Sequence, residues 1–328
     1  MSNLETSPQE LVCPSSPGTL EVLEPRMVPL GGPRAMTVRR TLPQRQRSLI
    51  GAWCFVDHYG PDDVASTGGM SVPPHPHTGL QTVSWLFTGE IEHADSAGYH
   101  AMVRPGELNL MTAGRGISHS EYSTQETTTL HGAQLWVALP DGARFMEPAF
   151  DHYRPVPLAL PGASLSVFLG SLAGAVSPVV THTPLLGAEL VLDAGASLTL
   201  EVDPSFEHGF LVDAGAVTVS GQVLDRHQLG YVGPGRDSLS LVAGPVPVRL
   251  LLIGGTPLGE SIVMWWNFVG RTHDEIVAAR KAWQAEIGAE EGATSAGQLF
   301  GLPADEVDPP LPAPALPTVK LRPRTNPN

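Results

Sequence analysis

The stretch VPPHPHTGLQTVSWLFTGE, residues 72–90, contains two histidines, His75 and His77, separated by one residue. A second stretch, PGELNLMTAGRGISHSEYS, contains His119 and Glu121 with the same spacing. In a β-strand, residues two apart point to the same face. If the two strands are neighbours or face each other across a narrow barrel, three imidazoles and one carboxylate converge at the distances of about 2 Å that a divalent metal requires.

Each pair alone has an ordinary explanation, because histidines can cap a turn and a His and Glu pair can simply be exposed. Together they favour a metal site. Pro76 holds its neighbours in extended backbone, and the glycines of TAGRG, before His119, permit a sharp turn that returns the second strand. The donor set suits iron, nickel, copper, manganese or zinc alike. It leaves one or two positions of an octahedral ion open to an organic oxygen, water or dioxygen, unlike closed, cysteine-rich structural zinc sites.

The composition predicts an all-β protein of two domains. The chain has 328 residues, more than one domain usually contains, and 35 Gly with 32 Pro imply frequent turns and short strands. From about residue 25 to about residue 255, runs rich in Val, Leu, Thr and aromatic residues end at Gly, Pro, Asp or Asn within about ten residues, which is typical of a sandwich or barrel.

The charge argues against nucleic acid and membrane partners. Acidic residues number 33 against 19 Lys and Arg, a formal net charge of −14, which repels phosphates and anionic lipid surfaces. A local basic cluster near the amino end predicts cross-strand charge pairing or a solvated loop, with an anion or partner site as the alternative. Its members are Arg34, Arg39, Arg40, Arg45 and Arg47.

The cysteines indicate a reducing compartment. Cys13 and Cys54 are the only two, too few to staple a secreted domain, and the first residues lack the apolar core of a signal sequence. No run of 18 apolar residues occurs, so no membrane span is expected. We therefore expect a cytoplasmic protein.

An internal repeat suggests two copies of one barrel. The segment HGFLVDAGAVTVSGQVL with GYVGPG, from His208 onward, echoes SWLFTGEIEH with VRPGEL about 125 residues earlier. The second copy is poor in candidate ligands, since no two of them have the spacing of two that shares a strand face. They are His182, Glu207, His208 and His227. We expect no metal in the second barrel.

Strand parity also suggests what surrounds the metal. Continuing the alternation from His75 and His77 along the next strand places a set of mostly apolar residues on the metal-facing side. These are Gly79, Gln81, Val83, Trp85 and Phe87. Their simplest role is packing inside the barrel, and the alternative is the wall of a binding pocket.

One helix and four segments complete the predicted organisation. Thr272 with Glu275 forms a capping box, and Gly288 is placed to end the helix, which should cover an open barrel end. We therefore divide the chain into four segments: a flexible lead-in (1–25), a metal-binding barrel (26–150), a barrel without metal (151–288) and a proline-rich tail (289–328). We expect the tail to be extended, and it either packs across the body or trails free.

Several motifs resemble the pirin family: HPHTGLQTV, MTAGRGISHSE, QLWVALP and GTPLGESIVMWWNFVGRTHDEI. The resemblance covers about residues 39–286, with the motifs in the family's order. Pirins are bicupins, so it implies two tandem cupin (double-stranded β-helix) barrels with a C-terminal helix. It also implies that the amino-terminal cupin holds one divalent transition metal, iron before nickel, copper, manganese or zinc. The residues that match the family's metal ligands are His75, His77, His119 and Glu121, and the carboxy-terminal cupin usually lacks a metal.

The resemblance implies two alternative functions. The first is quercetin 2,3-dioxygenase-like cleavage of a flavonol or related enol by dioxygen, in which Glu121 accepts the enolic proton. The second is a non-catalytic, redox-sensitive regulator that binds a transcription factor or a metabolic enzyme through the basic cluster or the tail. The motif departs from many relatives at Gln81, often Glu in the family, so a second acidic group beside the metal is not expected. A structural or sugar-binding cupin is the least favoured, and we expect a monomer.

Overall fold

The computed structural model describes residues 20–29, 36–289, 298–324 and 326. The first half of the described chain contains these elements: β1 (Glu21–Leu23), β2 (Arg26–Pro29), β3 (Thr37–Leu42), β4 (Trp53–Asp63), α1 (Val64–Thr67), β5 (Ser71–His77), β6 (Leu80–Thr88), β7 (Ile91–Asp95), β8 (His100–Val103), β9 (Leu108–Thr112), β10 (Ile117–Ser123), β11 (Thr129–Ala138) and β12 (Ala149–Tyr153). The chain is thus built from short strands, as its turn-rich composition predicts.

The second half adds fourteen strands and one helix: β13 (Leu158–Leu160), β14 (Ala163–Leu169), β15 (Ser171–Leu172), β16 (Ala175–Val176), β17 (Leu185–Leu192), β18 (Ser197–Glu201), β19 (Glu207–Ala214), β20 (Val217–Val219), β21 (Gln222–Leu224), β22 (Leu229–Val232), β23 (Ser238–Ala243), β24 (Val248–Gly255), β25 (Val263–Trp265), β26 (Phe268–Gly270) and α2 (His273–Glu286). None of the described helices is long and apolar enough to cross a membrane.

The strands form two barrels of the same design, each from one seven-stranded and one four-stranded sheet. In the first barrel the sheets have the orders β12-β9-β6-β11-β4-β3-β2 and β5-β10-β7-β8. In the second the orders are β1-β22-β19-β24-β17-β14-β13 and β18-β23-β20-β21. All the pairings are antiparallel within these sheets, so hairpins of few residues suffice to connect neighbouring strands.

The two barrels join through a shared apolar layer between their large sheets. Trp85 of the first barrel stacks on Phe168 of the second at 4.5 Å between ring centroids, and both are fully buried. Trp85 also donates its indole N–H to Glu189 at 2.6 Å. This layer stabilises the association of the two barrels, because it buries a large aromatic surface area from each of them.

Strand parity explains this layer and corrects one sequence expectation. Val83, Trp85 and Phe87 lie in the core between the barrels and not inside the metal-facing barrel. The alternation from His77 does not continue past Gly79, because β5 and β6 belong to different sheets and the chain turns there. Gly79 has φ of +69°, and a Cβ would lie 2.2 Å from the Val269 carbonyl oxygen, so only glycine fits.

The amino-terminal end of the described chain belongs first to the second barrel and then to the first. β1 pairs with β22 of the second barrel, with Val22 opposite Gly230. Part of the segment expected to be a flexible lead-in is therefore a strand, and folded structure begins before Pro25. Residues 1–19 of the expected lead-in, including Cys13, lie outside the described residues, whereas Cys54 is buried with a free thiol. The limits of the two barrels, 26–150 and 151–288, stay predictions.

Helix α2 begins and ends as the sequence predicts. The Thr272 hydroxyl accepts from the Glu275 amide at 3.2 Å, and Gly288 follows the last turn with φ of +67°. The helix packs Ile276 and Trp283 into a small separate core with the hairpin β25-β26. This unit lies against the first barrel, where Val269 donates its amide to the Thr78 carbonyl at 3.0 Å.

The proline-rich tail packs across the body. Leu311 donates its amide to the Pro74 carbonyl of β5 at 2.8 Å, and the Ser118 hydroxyl of β10 donates to the Gly301 carbonyl at 2.6 Å. Farther along, the Asn326 side chain accepts from the Leu49 amide at 2.9 Å. Of the two outcomes that the composition left open, the described tail follows the first.

Replacing Phe168 with alanine should lower the free energy of unfolding by about 3 to 5 kcal/mol, because it opens a cavity in the layer between the barrels. Urea denaturation followed by tryptophan fluorescence measures the change. Phe145→Ala is the matched control, since that ring is 64% exposed and its loss leaves no cavity. Equal midpoints for the two variants would contradict the packing described here.

Candidate metal centre

The two spaced pairs lie on adjacent strands of the small sheet of the first barrel. β5 and β10 are antiparallel, and His119 lies directly opposite His75. A bulge between His119 and Glu121 shifts the register, so Glu121 pairs with Val72 on one side and with His93 of β7 on the other. All four predicted residues are completely buried, which places them on the inner surface of the barrel.

The three histidines point their rings at one another. His77 Nε2 and His119 Nε2 are 3.1 Å apart, and the His75 and His119 ring centroids are 4.4 Å apart. One ring nitrogen from each of the three histidines lies within 4.8 Å of the others. Nitrogens bound at about 2.1 Å to one ion are separated by about 3.0 to 3.4 Å in octahedral or tetrahedral geometry. The donor set therefore fits a transition metal.

A backbone contact orients one of these rings. His75 Nδ1 is 3.0 Å from the Pro73 carbonyl oxygen, so in a neutral ring Nδ1 carries the proton and donates it. Nε2 is then left with its lone pair, on the ring nitrogen that a metal uses. Such a contact fixes both the ring plane and the tautomer.

Burial keeps the three imidazoles in the form that binds metal. Desolvation lowers the pKa of His75, His77 and His119 well below the ordinary value, because the apolar interior disfavours the charged ring. The rings are consequently neutral at neutral pH. Metal binding then needs no loss of a proton from the coordinating nitrogens.

His93 belongs to this site, although the motifs did not point to it. It lies on β7 with Nδ1 3.2 Å from His119 Nδ1, and its Nε2 is 3.4 Å from Asp95 Oδ2. With a metal on His119 Nε2, the Nδ1–H of His119 can donate to His93, whose own N–H then faces Asp95. The residue pair His93 and Asp95 has the same spacing of two, so the rule that found the other pairs could have found this one.

Glu121 lies beside this extension of the site. Donor atoms of His93, His119 and Glu121 also lie within 4.8 Å of one another, so His119 belongs to both groups. Burial, followed by the charge of Glu121, raises the pKa of Tyr59 well above its usual range, which indicates that the carboxylate and the phenol are close. The structure thus gathers His75, His77 and His119 in one group, and joins Glu121 to it through His119, with His93 in the second group.

Aromatic residues from the large sheet form the opposite wall. The Trp136 ring is 5.2 Å from His77 and stacks on Phe55 at 4.1 Å between centroids. Gln81 lies on the same face of β6 as Val83, which points away from the histidines. Its side-chain amide donates to the Thr112 hydroxyl at 2.8 Å. The identity of residue 81 therefore does not decide which acidic groups surround the histidines.

A second cluster lies between the barrels. His58 and His131 of the first barrel have Nε2 atoms 2.8 Å and 2.5 Å from Asp213 Oδ1 of the second. Arg249 donates to the other carboxylate oxygen at 2.7 Å, and Arg226 donates to the Asp213 carbonyl at 2.8 Å. The carboxylate is thus already balanced by a guanidinium, and neighbouring cations disfavour a divalent ion.

Electrostatics give this cluster a structural role. Burial raises the pKa of Asp213, but the hydrogen bonds from His131 and His58 outweigh it and lower the pKa far below its usual value. Desolvation lowers the pKa of His58, so its neutral ring donates Nε2–H to the ionised carboxylate. The cluster fastens one barrel to the other by buried hydrogen bonds.

The other candidate residues of the second barrel are dispersed. Glu207 accepts from the Gly51 amide at 2.6 Å and from the Tyr231 hydroxyl at 2.8 Å, so it too connects the barrels. The His227 ring lies 5.2 Å from that of His58, and His182 is half-buried. Among the described residues, no group of three potential metal ligands is made by the second barrel alone.

The basic cluster predicted near the amino end is mainly paired within the fold. Arg40 and Asp57, opposite each other on β3 and β4, form a buried ion pair at 2.7 Å. Arg47 pairs with Glu21 at 2.6 Å. Arg34 lies outside the described residues. Cross-strand charge pairing, the first of the two interpretations, holds for Arg40.

Comparison with known families gives two matches along the chain. The family model described as Pirin matches residues 35–137, and the model described as Pirin C-terminal cupin domain matches residues 187–287. These segments correspond to the two barrels in the expected order. The predicted fold of two tandem cupin barrels with a C-terminal helix is confirmed.

Individual relatives agree with these matches. A Pseudomonas aeruginosa protein whose name gives quercetin 2,3-dioxygenase as a candidate activity is 44% identical over 295 residues, which are 89% of this chain and 91% of that protein. A crystal structure titled quercetin 2,3-dioxygenase, from Acinetobacter baumannii, is 37% identical with a TM-score of 0.84 and covers 93% of this chain and 97% of its own. A bacterial pirin from Escherichia coli in complex with nickel(II) is 19% identical with a TM-score of 0.57, covering 73% of this chain and 100% of its own; that likeness concerns the fold alone.

Asp213→Asn should lower the free energy of unfolding at neutral pH by about 2 to 3 kcal/mol, because Arg249 and two imidazoles lose the carboxylate that they share. The folded-state pKa of Asp213 is depressed, so its stabilising effect is present above about pH 4 and is lost as the pH falls toward the folded value. Urea titrations of both proteins at neutral pH and near pH 3 measure the difference, which should shrink only below about pH 4. Asp151→Asn, at an exposed position, is the control, and a difference no larger than that of the control would contradict the role of the cluster.

Proposed function

Since this chain belongs to the pirin family, we propose that it is a metal-dependent dioxygenase that cleaves a flavonol or related enol with dioxygen, in the manner of quercetin 2,3-dioxygenase. The observation that supports this most is the convergence of three buried, neutral imidazoles beside a buried carboxylate in the first barrel. His75, His77, His119 and Glu121 are the proposed metal ligands. The substrates are thus a small aromatic enol and dioxygen.

The donor set favours one divalent transition metal. Three imidazoles and a carboxylate suit iron, our first choice, and also nickel, copper, manganese or zinc. The E. coli pirin was solved with nickel(II), which is a property of that protein. Bound at this site, such an ion would act as a Lewis acid toward the enolic oxygen of the substrate and would orient the substrate relative to dioxygen.

Glu121 is the proposed proton acceptor. Its carboxylate is completely buried, and one carboxylate oxygen lies within 4.8 Å of a ring nitrogen of His119. Removal of the enolic proton makes the substrate ring electron-rich and thus reactive toward dioxygen. His93 lies between His119 and Asp95, so it holds the His119 ring in the orientation that coordination requires.

The surroundings exclude water and define an entrance. Trp136 and Phe55 close the inner wall, and a dry site strengthens the interactions of its charged groups. On the other side, the Phe150 ring lies 5.0 Å from His93 and stacks at 5.5 Å on Tyr99, which is 42% exposed. We infer that the substrate enters beside this aromatic pair, which connects His93 with the surface.

The alternative function, a non-catalytic regulator, receives less support. Its contact surfaces were the basic cluster and the proline-rich tail. Arg40 and Arg47 are engaged in ion pairs within the fold, and the tail is held by Trp283 and Pro74 through hydrogen bonds to Leu311. Neither surface offers these groups to a partner without breaking internal contacts.

His75→Ala and His119→Ala should each purify with far less bound metal than the wild type, because each variant removes a proposed ligand. Elemental analysis of the purified proteins measures the metal-to-protein ratio. His100→Ala is the matched control, since the side chain of His100 is 65% exposed and pairs with the surface carboxylate of Glu92. Metal content that is undiminished in both ligand variants would rule out the site.

Glu121→Gln should reduce kcat for oxygen uptake with quercetin by about 100-fold to 10,000-fold, the usual effect of losing a general base. The assay uses the protein loaded in turn with iron, nickel, copper and manganese, and the metal content of the variant is measured in parallel so that loss of the base is separated from loss of metal. Wild-type turnover by the variant would contradict the role of Glu121. Absence of oxygen uptake by the wild type with every metal would overturn the proposed activity.

A further inference from the structure

The inner face of β19, in the second barrel, carries one polar ring among apolar side chains. Along β19, Phe210 and Val212 point into the core of the second barrel, whereas Leu211 packs in the layer between the barrels. By the alternation of a strand, His208 shares the inner face with Phe210 and Val212. It lies at the start of the strand and thus at one end of the barrel.

His208 is deeply buried, and none of the described residues forms a hydrogen bond with its ring. Its relative exposure is 1%, and neither ring nitrogen has a hydrogen-bond partner among the residues that the structure describes. Desolvation lowers its pKa to about 4, so the ring is neutral with one N–H donor and one acceptor. A buried polar group without partners destabilises the folded state by about 1 to 3 kcal/mol, so its presence calls for an explanation.

A cavity of about 640 Å³ lies beside this ring. His208 and Phe206 line it, with ring centroids 6.2 Å apart, and Leu185 and Leu186 contribute apolar surface from β17. Its size lies within the range of small-molecule sites, about 300 to 1,000 Å³, and its lining combines apolar side chains with polar groups, among them Ser171, Thr181 and His208. The cavity thus has room for the partner that His208 lacks.

The charges at this cavity select among ligands. Glu201 and Asp203 lie at its rim, and none of the residues that line it in the described chain is Lys or Arg. The hydroxyl and then the amide of Ser205 lower the pKa of Asp203 by hydrogen bonds, so this carboxylate is ionised. Two carboxylates without a basic residue disfavour an anion.

We propose that the cavity of the second barrel is a binding site for an uncharged small molecule with an apolar ring system and a hydroxyl group. His208 forms the hydrogen bond to this hydroxyl, and Phe206 with Leu186 contacts the ring system. The site requires no metal and is separate from the histidines of the first barrel. The protein then has one ligand site in each barrel.

The test uses 2-naphthol as the probe, with the full-length protein and isothermal titration calorimetry. The wild type should bind one equivalent in the second barrel, and His208→Phe should weaken binding at least 10-fold, because the ring keeps its approximate shape but loses both nitrogens. His208→Gln, which retains a donor and an acceptor, should recover part of the affinity. Naphthalene-2-sulfonate, an anion of the same ring system, should bind more weakly than 2-naphthol.

Thermal denaturation without ligand separates a binding role from a structural one. Since His208 makes no described hydrogen bond, His208→Phe should leave the Tm unchanged or raise it. The equivalent bound in the second barrel should persist in His75→Ala, which removes a ligand of the enol site in the first barrel, and in the surface control His100→Phe. Failure of the metal site and failure of this site are then distinguishable. The proposal is overturned if 2-naphthol shows no saturable binding, if His208→Phe binds as the wild type does, or if only His75→Ala abolishes binding.

Discussion

The pairing of β5 with β10 is the constraint on which the candidate metal centre depends. His119 lies opposite His75 in this pairing, and a slip of one residue would turn one pair of ligands to the outer face. Gly79 and Gly114 help to define the register, because the Gly79 amide donates to the Gly114 carbonyl at 2.8 Å where the two turns meet. Gly114 has φ of +52°, which favours glycine at this turn.

The C-terminal segment reinforces the same two strands from outside. Glu286, at the end of α2, accepts from the amides of residues 299–301. Gly301 and Leu311 of the tail in turn bind Ser118 and Pro74. Inner and outer faces of β5 and β10 thus have different functions. The inner face presents the imidazoles, and the outer face is covered by a segment whose composition alone resembles a linker.

The sequence predicted the fold, and it singled out His75, His77, His119 and Glu121 as candidates, because both inferences depend on local patterns. Short turn-bounded strands, the repeated segment and the pairs spaced by two are visible without knowledge of the third dimension. His93 follows the same spacing rule, paired with Asp95, but only the contact between β7 and β10 connects it with His119. The predicted position of Trp85 inside the first barrel was wrong, because the strand alternation was extended past Gly79. At Gly79 the chain passes from one sheet to another. The cluster around Asp213 depends on how two barrels meet, which no local pattern encodes.

The two barrels place histidines inside the same architecture with different consequences. In the first, several rings share one surface, so each can direct a nitrogen at a common ion, and burial that keeps the rings neutral favours this use. In the second, His208 is alone at 1% exposure beside a cavity. One neutral imidazole provides a single donor and a single acceptor, which is too few for a metal but sufficient to orient one hydroxyl group. The number of rings that meet, more than the fold around them, therefore separates the chemistry of the two barrels.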